Sequence, residues 1–419
     1  MFTASDLAAI DATLADTDRM LVEQYPGNTA ARQPVHTVYT PADTYTPDFV
    51  AQWGETAQKA VADHGGIAGL TAELGVADDL VNDVAERVSE KLATEPIEDL
   101  RLDFEDGYGN RGDDVEDRDV LAAASAVTQA AADGKAPAFI GIRFKCFERP
   151  TRARGLRTLH LFLGTLIEQG GLPDGLVLTL PKVSTVAQVE AMAYACGRLE
   201  DAHGLAQGRL RFEVQVETPQ LIVAGDGTLP VAQLLHRAGG RVSALHYGTY
   251  DYSASLGIAA AYQSMEHPAA DFAKQVMQVA VAGTGVRLSD GSTNVIPVGG
   301  SEQVLAAWKL HARLVRRSLE RGFYQGWDLH PAQLPSRFIA SYAFYREGFA
   351  AAAERLRDYV HHTASGFMDE PATAMALAGF MHRGVSCGAI TEAEVVEHAA
   401  LTTTQLAELA FPSRATRPQ

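Results

Sequence analysis

Two carboxylates, Glu217 and Asp251, each follow a short apolar run, Leu210 to Val216 in one case and Val242 to Gly248 in the other. Acids at neighbouring strand ends form a hard-oxygen pair, the donor type that Mg²⁺ takes together with waters and substrate oxygens. The two lie 34 residues apart, the length of one strand-helix-strand unit, so both can emerge on the same rim of a parallel sheet or barrel. A second acidic pair, Glu105 and Asp106, closes the run Leu102-Asp103-Phe104. Unpaired carboxylates buried at a strand end are costly, so this pair is read as functional, holding waters around a cation. Arg143 ends the run Ile140-Gly141-Ile142. Its planar fork suits a substrate carboxylate, or it pairs with Glu105 or Asp106 on a neighbouring strand.

Lys182 follows Leu180-Pro181 and could act as a Schiff-base amine or as a fixed positive charge. Nothing around it shows how its pKa would be lowered, so an electrostatic or structural role is the expectation. The acids from Asp113 to Asp117 read as a solvated helix N-terminus, where they complement the helix dipole. Arg149, Arg152, Arg154 and Arg157 read as a helix face rather than an anion site. Asp290 is either a turn former or a site residue, and His330, held extended before Pro331, serves packing or catalysis.

These residues need elements to position them. Eight runs rich in β-branched and aromatic residues predict strands at 35–40, 98–104, 137–144, 175–181, 210–217, 242–248, 284–289 and 323–329. Alanine-rich stretches predict helices near 48–92, 114–133, 152–169, 184–202, 228–238, 267–282 and 299–321. Such alternation marks βα units around a parallel sheet, and eight strands favour a (β/α)₈ barrel over an open doubly wound sheet. Neither a dinucleotide glycine fingerprint nor a phosphate loop is present. Leu7, Ile10, Leu14 and Leu21 predict an amphipathic helix over Ser5 to Glu23, broken by Pro26-Gly27. Past Ser336 only helical signal remains, interrupted near Ser365-Gly366 and near Ser386 to Gly388. The expected organisation is an N-terminal helical extension (1–30), a barrel domain (31–335) and a C-terminal helical segment (336–419).

With 419 residues the chain can bury a large core. Its 35 basic residues against 52 acidic ones give a net charge of −17, which disfavours nucleic-acid and anionic-membrane partners. Three scattered cysteines fit a reducing compartment, and the acidic start has neither a signal peptide's basic region nor a long apolar run. The expectation is a cytoplasmic protein acting on small molecules.

Taken in order, Leu102-Asp103-Phe104-Glu105-Asp106, Ile142-Arg143, Leu180-Pro181-Lys182-Val183, Val216-Glu217-Thr218, Tyr247 to Asp251 with Leu256-Gly257, and His330-Pro331-Ala332-Gln333 form a series that resembles the citrate lyase β-subunit and malyl-CoA lyase family, within the HpcH/HpaI aldolase group. The resemblance implies a TIM barrel with a C-terminal helical lid segment, and Mg²⁺-dependent carbon-carbon lyase or aldolase chemistry on a 2-oxo or hydroxy acid through a metal-stabilised enolate. Mn²⁺ is the alternative cation, and a CoA thioester of the acid is a further candidate substrate. It implies Glu217 and Asp251 as metal ligands, Arg143 as the residue that grips the acid, and Glu105 with Asp106 as the acidic pair beside the metal. Phe367-Met368-Asp369-Glu370-Pro371 resembles the family's Met-Ile/Val-Asp-x-Pro motif, which implies that Asp369 works as acid/base in a neighbouring subunit's site, and hence a homo-oligomer, trimeric or hexameric. Tyr250 replaces a glutamate common in the family, and where CoA-using members tend to carry lysine or arginine after the second strand this chain has Asn110-Arg111 and then a run of acids. A malyl-type CoA-ester hydrolase and a non-catalytic acid-binding subunit are the alternatives.

Overall fold

A computed structural model describes residues 1–362 and 370–412. All eight expected strands are present: β1 (His36–Pro41), β2 (Asp99–Asp103), β3 (Phe139–Arg143), β4 (Leu176–Leu180), β5 (Phe212–Val216), β6 (Val242–Tyr247), β7 (Arg287–Ser289) and β8 (Gly326–Asp328). They pair in parallel in the order β7-β6-β5-β4-β3-β2-β1-β8. At the remaining seam the Asp290 N–H donates to the Gln325 carbonyl at 2.8 Å and the Trp327 N–H to the Gly291 carbonyl at 3.1 Å. These two bonds draw the outer strands together, and the architecture is a (β/α)₈ barrel.

The helices are α1 (Ala4–Gln24), α2 (Phe49–Ala62), α3 (Gly66–Glu73), α4 (Val81–Thr94), α5 (Asp113–Ala132), α6 (Arg152–Gln169), α7 (Val186–His203) and α8 (Pro219–Ile222). They continue with α9 (Pro230–Arg237), α10 (Thr249–Ser255), α11 (Pro268–Val281), α12 (Ser301–Glu320), α13 (Leu334–His361), α14 (Pro371–Cys387), α15 (Glu392–Ala399) and α16 (Thr403–Ala410). The helical stretch expected near 48–92 is three helices. Gly65, Gly66 and Gly75 break it with φ of +98°, +83° and +82°, values that L side chains rarely adopt. The expected break near Gly388 is a left-handed C-cap at φ +87°, whereas the one at Ser365-Gly366 lies outside the described residues. Helix α1 forms as expected but buries none of its residues, so the stripe of Leu7, Ile10 and Leu14 faces solvent in the single chain. Helix α13 seals one side of the barrel with Leu334, Phe338, Ile339 and Tyr345, all buried.

Strand side chains alternate between the barrel axis and the helices. The outward set, including Leu100, Leu102, Ile142, Leu178, Leu180, Val214, Val216 and Leu245, is fully buried and makes the apolar core between sheet and helices. The inward set is charged where barrels of this kind usually stack branched aliphatics. Arg101 donates to Glu213 Oε2 at 2.9 Å, to Thr179 Oγ1 at 3.0 Å and to Asp99 Oδ2 at 3.1 Å. His246 Nε2 lies 3.0 Å from Glu213 Oε2, and Trp327 Nε1 donates to His246 Nδ1 at 3.2 Å. Continuing the alternation along β2 and β5 brings Asp103 and Glu217 to the C-terminal rim. That register delivers the site.

Candidate active site

The rim is organised from β2 and β3 outward. Asp103 and Arg143 stand directly opposite in the β2/β3 register. Arg143 Nε donates to Asp103 Oδ1 at 2.7 Å and Nη2 to Oδ2 at 2.6 Å, a bidentate charge-assisted pair. Asp103 also accepts the backbone N–H of Glu105 at 2.9 Å and of Gly107 at 2.7 Å, so it fixes the turn that presents the acidic pair. The bidentate partner of Arg143 is therefore Asp103, two residues before Glu105 and three before Asp106. Its remaining nitrogen, Nη1, lies 3.7 Å from Glu105 Oε2, and its guanidinium carbon sits 4.9 Å from the Tyr39 ring centroid.

Lys182 stands after β4 with φ +51°, a left-handed backbone rare outside glycine. This conformation lets one residue serve two sides of the site. Its N–H donates to Glu217 Oε2 at 3.0 Å. Its ammonium reaches Asp106 at 2.7 Å, Glu105 Oε1 at 3.1 Å and Asp251 Oδ1 at 3.5 Å. Burial disfavours the charged amine, but the three acids outweigh it and hold the pKa above the ordinary lysine value. That is the reverse of what a Schiff-base lysine needs, and it agrees with the electrostatic role expected from sequence.

Glu217 is 2% exposed and follows β5. A Cβ on Gly248 would lie 2.3 Å from its Cγ, so the carboxyl occupies space that only glycine leaves free. Burial pushes the Glu217 carboxyl up to about 8; Arg143 opposes the rise, while Asp251 and Glu105 add to it. Burial likewise pushes Glu105 up to about 7 against Arg143 and Lys182, with Asp106 adding to the rise. Asp106 moves the other way: Lys182 holds it below its ordinary value despite its partial burial. Asp251, just past β6 as expected, lies in the first turn of α10, and its side chain is 46% exposed. The result is an acid-rich rim in which burial favours the protonated form of Glu217 most strongly.

The family model described as a domain of unknown function, DUF6986, matches residues 14–414. The chain belongs to DUF6986. No curated protein matches this DUF6986 sequence. Among solved structures it is similar to a citrate lyase from Burkholderia xenovorans LB400, with 18% identity over 88% of this chain and 98% of that one and a TM-score of 0.59. It is also similar to Haloferax volcanii malate synthase in a magnesium/glyoxylate complex, with 15% identity over 90% of this chain and 97% of that one and a TM-score of 0.50. At these identities the likeness is one of fold.

Five of the sequence-derived site residues of the DUF6986 chain, Glu105, Asp106, Arg143, Glu217 and Asp251, thus share one rim, linked through Lys182. The sixth, Asp369, lies outside the described residues. Asp290 belongs elsewhere: it is buried and accepts from Lys274 at 2.9 Å, from Ser318 Oγ at 2.6 Å and from the Gly291 N–H at 2.8 Å. His330 caps a short turn by accepting the Ala332 N–H at 3.1 Å. Arg154 and Arg157 pair with Asp117 at 2.6 and 2.5 Å, tying α6 to α5. Sequence reasoning missed Asp103 and Gly248. The spacing of Asp103 and Glu105 two apart on β2 and its extension was the available signal for the first.

Among the described residues no three His, Cys, Asp or Glu side chains converge as a ready-made metal cage. The donor chemistry of the DUF6986 rim still fits a hard divalent cation. Two carboxylates with open positions for water and substrate oxygens are the usual Mg²⁺ arrangement, and the seat made by Gly248 presents a buried carboxyl whose ionised form a nearby cation would stabilise.

Proposed function

We propose that this DUF6986 protein is a Mg²⁺-dependent carbon-carbon lyase or aldolase that cleaves or forms a 2-oxo or hydroxy acid, free or as its CoA thioester. The observation that carries the reading is the buried Glu217 beside Asp251, with Arg143 and Lys182 on the same rim. The malate synthase of similar fold is a complex with magnesium and glyoxylate, a small 2-oxo acid. The citrate lyase of similar fold is named for the same class of bond cleavage.

Glu217 and Asp251 would hold the cation, with Mn²⁺ as a substitute for Mg²⁺. When bound, it supplies Lewis-acid charge to the oxygens of the acid. Arg143, kept in place by Asp103, adds a fixed positive group whose Nη1 side is open toward Glu105 and the substrate. Lys182 holds Asp106 below its ordinary pKa, reaches Asp251 with the same ammonium and steadies Glu217 through its backbone N–H. Glu105, with its carboxyl near 7, is suited to taking or giving a proton at neutral pH. Asp369, which the sequence places between α13 and α14, is the proposed acid/base contributed by a neighbouring subunit of a trimer or hexamer, carried by the lid segment over that subunit's rim.

The test is a panel of 2-oxo acids, hydroxy acids and their CoA thioesters, assayed for products with and without Mg²⁺. Carbon-carbon cleavage or condensation that requires the cation and disappears in Glu217→Gln supports the reading. Thioester hydrolysis without cleavage, or turnover indifferent to the cation, overturns it. Mixing inactive Asp369→Ala with inactive Glu217→Ala should restore activity by subunit exchange; no recovery at any ratio removes Asp369 from the site.

A further inference from the structure

The opposite, N-terminal mouth of the barrel surrounds a cavity of about 1150 Å³ that shares none of Glu105, Asp106, Lys182, Glu217 or Asp251. Arg211, one residue before β5, and Arg287, the first residue of β7, enter it from the two strands that flank β6. Arg209 joins them at the edge. Among the described residues none of these three guanidiniums has a carboxylate within 4.0 Å. Their recorded bonds go to main-chain carbonyls only: Arg287 to Ala31 at 2.8 Å, Arg209 to Pro173 at 2.5 Å and Arg211 to Val242 at 3.5 Å.

The absence is informative because this chain has 52 acids for 35 bases, and partners are plentiful. Two acids face the cavity from inside the barrel, Asp99 and Glu213, and both are engaged by Arg101, Glu213 also facing His246. Three more, Glu23, Asp174 and Glu408, are exposed at its outer edge. Arg287 is partly buried; that burial and the charge of Arg211 work against its protonated form, and Asp99 offsets them only in part. Two like charges held together at a concave mouth are stabilised by an anion that bridges them, and guanidinium forks match carboxylate and phosphate oxygens two at a time. The volume is that of a site for a small organic molecule.

We infer that the N-terminal mouth binds a small organic anion of at least two negative charges, a phosphate ester or a polycarboxylate, between Arg211 and Arg287. The segment from Glu23 to Ala31 and the α16 residues Thr404 and Ala407, with Phe411 beyond them, roof the cavity. A bound anion would therefore tie both ends of the described chain to the barrel. This site is independent of the chemistry proposed for the other rim.

Titration calorimetry on the full chain without divalent cation, using inorganic pyrophosphate in one arm and tricarballylate in the other, tests it. Wild type and Glu217→Gln should both bind one equivalent of at least one probe, more weakly as salt rises, and the preferred arm separates phosphate from carboxylate recognition. Arg211→Gln/Arg287→Gln should bind at least about tenfold more weakly. No binding of either probe, equal binding by the double variant, or loss in Glu217→Gln alone would overturn the inference. Should the double variant fail to fold by circular dichroism, wild-type crystals soaked in pyrophosphate and in tricarballylate decide: density of either probe between the two arginines supports the site, and density elsewhere or none overturns it.

Discussion

Gly248 faces Glu217 so closely that an added Cβ would fall 2.3 Å from the glutamate's Cγ and 2.7 Å from its Oε1. The backbone there, at φ −98° and ψ 98°, is open to any residue, so the glycine is required for space rather than conformation. Gly248→Ala should leave the barrel folded but displace the carboxyl, and affinity for Mg²⁺ should fall at least about tenfold, on the scale of one lost charged contact. Titration calorimetry, or the electron-spin signal of Mn²⁺, reads this directly. Unchanged affinity would mean that Glu217 does not hold the cation.

A second prediction concerns pH. Glu217 titrates at about 8 in the folded cation-free chain against an ordinary value of 4.5. Because the folded value is the higher, the proton favours folding: that contribution is complete below about 4.5 and is lost as pH rises through 8. The slope approaches about 1.4 kcal/mol per pH unit within this window. Glu217→Gln should flatten the decline when stability is measured by urea unfolding at pH 5, 7 and 9 without divalent cation. Parallel curves for the two proteins would contradict this assignment.

Lys182 gives a third. Its ammonium is held charged by Asp106, Glu105 and Asp251, so it should not condense with a carbonyl. Borohydride added with pyruvate or glyoxylate should leave the intact mass unchanged. An adduct on Lys182 would replace the cation-dependent mechanism with an imine one.

The fourth lies where β8 packs against α12 and α13. Asp328 is fully buried and accepts from Arg337 at 2.9 Å and from His36 at 2.8 Å, with His311 Nε2 at 3.1 Å. Burial opposes its charge, but Arg337 and the two histidines hold its carboxyl well below 3.8. The stabilisation it provides is present above 3.8 and is lost as pH falls through the folded value. Asp328→Asn should cost about 3–5 kcal/mol at neutral pH, the size expected for one broken buried ion pair, and the difference from wild type should shrink in acid. Equal unfolding midpoints at pH 7 would count against it.

The strand order and the rim were legible because each βα unit ends in a recognisable apolar run followed by a charged residue. Glu217, Asp251, Glu105 and Asp106 could be placed on one side from that punctuation alone. What stayed hidden was pairing. Arg143 found Asp103 because parallel register sets them opposite, and register depends on strand twist and stagger that a single sequence does not display. Asp251 falls in a helix turn because Gly248 and Thr249 open α10 immediately after β6. The inward charges of Asp99, Arg101, Glu213 and His246 were visible as alternation within the runs. Asp99 meets Arg101 on its own strand, but Thr37 lies 62 residues from Asp99, Glu213 lies 112 from Arg101 and Trp327 lies 81 from His246, and no local pattern reports those partners.

That inner column has a consequence for how such a barrel changes over time. Removing one member of a buried, hydrogen-bonded ion pair strands the other, whereas exchanging both for well-packed apolar groups is often neutral. Arg101 with Glu213, or Asp103 with Arg143, can therefore drift only as couples, through intermediates that fold poorly. The aliphatic shell outside the strands is under no such rule, so the two faces of each strand should record ancestry at different tempos.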